Sequence, residues 1–424
     1  MDVIVIGAGL AGLAAAAELG REGRSVTVLE GRQRVGGRVW TLDDAGPDAP
    51  IELGAEWLAD SGLLHRLLTG GRSRLTRARG TRWHRSNRGW DSLSDLAEDL
   101  VARIRALKGP DRSLRRALEE CCGGSALEEA RSLLLSYVQG FHAADPDRLS
   151  ARWLALVEET QPAEASELRS LDGVGRATEA LRLEVERHCE LRLGAAVREV
   201  SWRKGAVEIR TAAGETRRAA RAVVAVPLPL LQGTAGPAAL RFTPTLPEKQ
   251  EAVRLLEMGP IVKLVLRFRE PFWLDVGPLD DLLFLHAFQQ PLPTWWTYRE
   301  ARVPLLTGWA GGPQAAPLRG QNRDSLLSLA VGSLAVGLDL PRPEVERRLE
   351  AHYYHDWNED PFSLGGYSYV GVGGLEAHRT LAAPVAETLY FAGEATCGEG
   401  LNATMEGALR SGRRAAAEVL GSDR

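Results

Sequence analysis

Asp2-Val3-Ile4-Val5-Ile6-Gly7-Ala8-Gly9-Leu10-Ala11-Gly12 is a β-branched apolar run that breaks into three spaced glycines. The run lacks polar alternation, which is the pattern of a parallel strand covered on both faces. Leu13 to Leu19 is alanine-rich and favours a helix, and Ser25 to Leu29 reads as a second strand ending on Glu30. In such a strand, turn, helix, strand unit Gly7 turns the chain, Gly9 admits a pyrophosphate to the backbone, and Gly12 lets the helix pack on the sheet. Ala11 lies between them in the same turn, where the helix N-terminus offers free N–H groups and a partial positive charge to phosphates. Glu30, eighteen residues beyond Gly12, stands where an acid accepts ribose hydroxyls. The unit predicts dinucleotide binding.

The rest of the 424-residue chain is ordinary for a soluble globular protein, with 44% hydrophobic and 25% charged residues, and has room for two domains. A net charge of -4 provides no overall basic field for nucleic acid or an anionic membrane, so neither is expected as a partner. Four cysteines, none in a C-x-x-C, match neither a disulfide framework nor a zinc site. No apolar run approaches a membrane span, and the N-terminus shows no charged leader, so a cytoplasmic location is expected. Only Lys108, Lys204, Lys249 and Lys263 among the 52 basic residues are lysines. Codon bias accounts for the scarcity as a whole.

Downstream come Gly31-Arg32-Gln33-Arg34-Val35-Gly36-Gly37-Arg38 and Glu52-Leu53-Gly54-Ala55-Glu56-Trp57. Near the other end, Leu389-Tyr390-Phe391-Ala392-Gly393-Glu394 precedes Asn402-Ala403-Thr404-Met405-Glu406-Gly407, which opens a helix running to Leu420. Together these segments resemble the signatures of the flavin amine oxidase family, the monoamine and polyamine oxidases with their demethylase and amino-acid oxidase relatives. The resemblance implies FAD. Arg32, Gly36, Gly37 and Arg38 would lie at the diphosphate and flavin, Gly54 and Ala55 beside the ring, and Glu394 at the ribityl chain. Val197 would hold the adenine through its backbone, and Thr404 and Met405 would present the terminal helix to the pyrimidine edge. Read without the family, Arg32 and Arg34 fit a solvated loop.

Met258 to Phe268 is a strand with Lys263 in its apolar middle. Alternation alone puts Ile261, Lys263, Val265 and Arg267 on one face, with Lys263 towards water. The resemblance reverses this, because the family's matching lysine binds flavin N5 through a water. Trp357-Asn358 to Tyr369 resembles a third motif, in which Trp357 packs on the flavin and Tyr367 is one wall of an aromatic cage. Covalent members carry cysteine where this chain has Gly366, so FAD should be bound non-covalently. The second cage wall of monoamine oxidases, a tyrosine, matches Thr404 here, which favours the polyamine oxidase and demethylase branch. Glu56, counted with the cofactor-site residues, matches an acid that could pair with a remote substrate ammonium, against a structural hydrogen-bonding role. His352 and His355 have helical ligand spacing but no third ligand, so no metal is expected. Cys397 reads as packed or semi-exposed, and Trp83, Trp90, Trp295 and Trp296 as cavity or core residues.

The fold class expected is α/β: a discontinuous Rossmann-like FAD-binding domain over 1–60, 168–240 and 358–424, with an α+β substrate-binding domain over 61–167 and 241–357. Ala196–Val200 and Ala206–Arg210 form an expected hairpin, and residues 92–135 look helical, with Leu93, Leu96, Leu100, Ile104 and Leu107 as its apolar stripe. The resemblance implies a monomeric or homodimeric FAD-dependent oxidase of primary or secondary amines, polyamines included. It would transfer a hydride to flavin N5, with O2 as acceptor and H2O2 as product. Lys263, Tyr367 and Thr404 are its catalytic candidates. L-amino-acid oxidase and protoporphyrinogen or carotenoid-type chemistry on the same fold are the alternatives, followed by a flavin-binding protein without catalysis.

Overall fold

The structure, a computed structural model, describes residues 2–42, 50–86, 89–92, 96–160, 168–233, 236–398 and 400–422. The opening motif folds as its glycines require. Val3–Ile6 is the centre of a five-stranded parallel sheet ordered 389–391, 221–224, 3–6, 26–29, 190–192. Gly7 follows with φ +101°, and a side chain on Gly12 would meet the Gly7 carbonyl oxygen at 1.9 Å. The helix Leu10–Arg21 therefore sits tightly on the turn. It also crosses the helix Met405–Gly421 so closely that a Cβ on Gly412 would lie 2.1 Å from the Ala11 carbonyl oxygen. The expected hairpin is present as 197–203 paired antiparallel with 206–211.

A second, seven-stranded sheet is ordered 349–354, 261–268, 303–311, 294–298, 282–286, 81–86, 89–92. One face of it, through Val262, Leu264, Leu266 and Phe268, buries against Leu326, Ala330 and Leu334 of the helix Arg323–Leu338. The opposite face, through Val265, Trp296 and Tyr298, packs on Ile51 and Leu53. Lys263 shares that second face, so the segment from 51 to 57 covers it.

Two expectations are corrected. The helical region 92–135 divides into Leu96–Ala106, Leu114–Cys121 and Glu128–Phe141, because Gly109-Pro110 and Gly123-Gly124 interrupt it. Leu100 and Ile104 are core residues as expected, and Leu93 lies outside the described residues. His352 belongs to a strand, Leu349–Tyr354, so it does not share a helix face with His355, which pairs with Asp360 instead. No cluster of three metal-ligating side chains occurs among the described residues.

Candidate active site

The two glycine loops meet. Gly36 bridges Gly9 in parallel fashion and donates to the Ala8 carbonyl, while Gly36 and Gly37 take φ +97° and +60°. A side chain on Gly37 would face the Gly9 Cα at 3.4 Å, whereas one on Gly9 would find nothing within 4 Å. That opening lies at the N-terminus of Leu10–Arg21, where backbone N–H groups lack intrahelical partners. Glu30 is buried and accepts from the Ala8 and Arg32 amides at 2.7 and 2.9 Å, which fixes its carboxylate beside the turn. The Gly194 and Ala195 amides bond the carbonyls of Arg32 and Glu30, which brings Val197 to the same corner.

Arg32 is not in a solvated loop. Its guanidinium is held by Asp360 and Ser363, each at 2.7 Å, and lies over the Phe362 ring. Those contacts, with 12% of the side chain exposed, commit it to fastening 30–34 to 360–363. Arg34, 4.2 Å over the Trp40 ring, has a buried Nη2 with no hydrogen-bond partner. Burial, with Arg32 adjacent, lowers its pKa to about 10.

Glu394 joins the ends of the chain. One carboxylate oxygen accepts from Arg38 at 2.9 Å; the other accepts from the Ser368 hydroxyl at 2.6 Å and the Ala403 amide at 3.0 Å. Arg38 also donates to the Gly366 carbonyl. A cavity bordered by Arg38, Val226, Gly393 and Glu394 opens there. The residues present fit FAD: an open glycine turn at a helix N-terminus, an orphaned buried guanidinium nitrogen, and a cavity shared by both terminal motifs. The turn Gly7–Gly12 and Gly36–Arg38 would hold the diphosphate, Glu30 the ribose and Val197 the adenine. Gly54, Ala55, Trp357, Gly393 and the N-terminus at Met405 would border the ring.

Lys263 is 3% exposed, which overturns the reading that it points to water. Its Nζ donates at 2.9 Å to both the Gly54 carbonyl and Glu56 Oε2, and an ammonium has a third hydrogen to offer. Glu56 is the anion of a buried network, with Arg169 at 3.3 Å and the Trp296 indole donating at 3.1 Å. Burial alone would raise its carboxyl pKa, but the charges of Lys263 and Arg169 outweigh this and hold it below the usual range. Of the two readings of Glu56, the structural hydrogen-bonding role is the one these contacts support, since its partners are the protein's own Lys263, Arg169 and Trp296. Glu52 accepts from the Val174 amide and the Thr41 hydroxyl, and burial raises its pKa to about 7.

Trp357 donates its indole N–H to the Leu53 carbonyl at 2.8 Å, fixing the bend that carries Gly54. The Tyr367 hydroxyl donates to the Phe141 carbonyl at 2.6 Å, and its ring lies parallel to Trp309, 8° between planes and 6.4 Å between centroids. Trp309, whose indole donates to the Gly140 carbonyl, is paired across the sheet from Lys263. Thr404, a catalytic candidate at the position of the second cage wall of monoamine oxidases, caps the helix Met405–Gly421. Its hydroxyl accepts from the Gly407 amide at 2.9 Å and donates to the Leu401 carbonyl at 2.6 Å. The aromatic partner of Tyr367 is Trp309. Thr404→Ala is expected to cost about 1 kcal/mol of stability through loss of the cap, measured by urea unfolding.

Trp309, Arg169 and Ser368 were not legible as site residues. Trp309 is recognisable only once it is paired with Lys263, and nothing distinguishes Arg169 from the other arginines in the sequence.

The geometry fits a flavin-binding site with an aromatic pair and a buried lysine on one sheet face. The sequence profile of the flavin containing amine oxidoreductase family matches residues 10–69 and 85–420, and the chain belongs to that family. It is 28% identical over 99% of its length to lysine-specific histone demethylase 1 homolog 2 of Oryza sativa subsp. japonica, and spans 57% of that protein. It is 26% identical over 98% of its length to polyamine oxidase 3 of the same organism, and spans 88% of it. Putrescine oxidase bound to putrescine superposes with a TM-score of 0.82 at 23% identity, covering 99% of each chain. Cyclohexylamine oxidase from Brevibacterium oxydans IH-35A gives 0.83 at 20% identity, covering 100% of this chain and 99% of that one.

Proposed function

We propose that the protein oxidises a primary or secondary amine, with O2 as electron acceptor and H2O2 as product. The observation that carries this reading is the parallel Tyr367–Trp309 ring pair on the sheet face of Lys263, with Lys263 bonded to the backbone carbonyl of Gly54. FAD bound there supplies the acceptor for a hydride leaving the carbon next to the amine nitrogen. The chain's own part is positioning. The rings offer the alkyl group an apolar wall, and aromatic faces also attract a cationic nitrogen. Lys263 keeps one hydrogen with which to hold a water opposite the Gly54 carbonyl. Trp309 and Tyr367 are anchored through Gly140 and Phe141, so the ring spacing is fixed by the backbone of one helix end. No side-chain base is needed if the amine enters uncharged.

Amino-acid oxidation is less well supported, because a substrate carboxylate needs an open cation. The buried cations Lys263 and Arg169 share Glu56 already. Anaerobic mixing of the flavin-loaded protein with a panel of amines and amino acids tests the proposal. Bleaching of the flavin by amines is the expected outcome; bleaching by amino acids alone would overturn it.

A further inference from the structure

Both rings of the pair hang on one helix end. The Trp309 indole donates to the Gly140 carbonyl at 2.7 Å and the Tyr367 hydroxyl to the Phe141 carbonyl at 2.6 Å, at the close of the helix Glu128–Phe141. Two glycines let this backbone press against the strands that carry the rings. A Cβ on Gly311, two residues beyond Trp309, would lie 2.6 Å from the Gln139 carbonyl oxygen. One on Gly259, which pairs with Tyr367, would overlap the Ala143 carbonyl oxygen. Ala143 turns the chain away with φ +49°, so the helix end is seated on bare strand backbone.

A carboxylate from another element grips the same turn. Glu158 Oε1 accepts from the Tyr137 hydroxyl and from the His142 ring, each at 3.1 Å, so one oxygen spans the stretch in which Gly140 and Phe141 lie. The His142 ring is buried and meets the rings of Tyr137, Phe141 and Trp153 edge-on, with centroids 5.1 to 5.5 Å apart. Glu158 and Trp153 both belong to the helix Ala151–Thr160. The start of that helix is tied elsewhere. The Ser150 amide donates to the Val370 carbonyl on the strand of Tyr367, and the buried Trp153 indole donates to Asn402 Oδ1 at 3.1 Å. Asn402 precedes Ala403, whose amide is bonded to Glu394. The helix Ala151–Thr160 thus links the holder of the ring pair to the segment that would border the flavin.

Resting on the amine-oxidase reading, we propose that Glu158 is a positioning residue for the reaction. It acts through the last helical turn: it holds Tyr137 and His142, these hold the Gly140 and Phe141 carbonyls in place, and the carbonyls place Trp309 and Tyr367 against the flavin edge. Each ring follows its acceptor, so a shift of the helix end moves both walls together. A misplacement of about 1 Å in a substrate-aligning group can cost about 100-fold in rate, even when the change that causes it lies away from the chemistry.

The test uses the flavin-loaded protein, mixed anaerobically with whichever of butylamine, benzylamine and putrescine bleaches it fastest, and reads the limiting rate of bleaching. Glu158→Ala should lower that rate at least about 10-fold. Glu158→Gln, whose amide oxygen still accepts from Tyr137 and His142, should recover it to within about 3-fold of the parent. Tyr367→Phe keeps the ring and loses the bond to Phe141. In that background the effect of Glu158→Ala should shrink at least about 3-fold, because both changes break one chain of contacts. An unchanged rate in Glu158→Ala overturns the proposal and leaves amine oxidation standing. A full, additive effect in the Tyr367→Phe background also overturns it, as does a glutamine variant as slow as alanine. If Glu158→Ala loses its flavin, Tyr137→Phe removes only one of the two bonds and replaces it in the same cycle, where an unchanged rate or additivity is equally fatal. If dithionite bleaches the flavin and none of the amines does, the amine-oxidase reading falls, and this proposal with it.

Discussion

Lys263→Met is expected to slow flavin reduction, flavin reoxidation or both by about 100-fold, the low end of what a positioned proton-transfer group contributes. Methionine keeps the length of the side chain and removes both the charge and the N–H donors. The bonds to the Gly54 carbonyl and to Glu56 disappear together, along with the hydrogen that would hold a water. Glu56 keeps Arg169 and the Trp296 indole, so its charge remains compensated and the variant should fold. Stopped-flow mixing, first with amine under anaerobic conditions and then with oxygen, separates the two half-reactions. Unchanged rates in both would remove Lys263 from the chemistry.

Glu394→Ala is expected to yield protein that retains little flavin and is destabilised by about 3–5 kcal/mol, the cost of leaving a buried ion pair half made. The carboxylate ties together Arg38, the strand Tyr367–Val370 through Ser368, and the backbone at Ala403 just before the terminal helix. Its removal orphans the Arg38 cation and two donors at the junction where the flavin segments converge. Glu394→Gln keeps one acceptor for Arg38 and should fall between the two. Flavin absorbance per polypeptide and guanidinium unfolding measure the outcome. Full flavin occupancy and an unchanged midpoint in the alanine variant would show that the junction is held by something else.

The glycine turn was legible because its conformations are local. Gly7 needs positive φ, and Gly12 leaves no space for a side chain, whatever the rest of the chain does. Lys263 shows the opposite case. Period-two alternation correctly placed it on the face of Val265, but which face meets water depends on the segment 51–57, over two hundred residues away. Glu56 was legible as an acid near the site, yet its partner was not, because Arg169 and Lys263 converge on it from separate elements. Thr404 was read through a family position, whereas the local rule was available in the sequence: a threonine three residues before a glycine amide at a helix start is a cap.

The parallel sheet also dictates an order of assembly. Its edge strand, 389–391, pairs with 222–224, which in turn lies beside 3–6, and the helix after that edge strand packs directly on Leu10–Arg21. During synthesis the glycine turn emerges well before residues 389–421, so one apolar flank of its helix has no partner until residue 419 has been made. A segment made early is thus finished late. Its closure spans nearly the whole chain, the kind of distant contact that slows folding and leaves apolar surface open to association. Flavin bound to the closing ends would act as a clamp on that late step, so its supply during expression should govern soluble yield as well as activity.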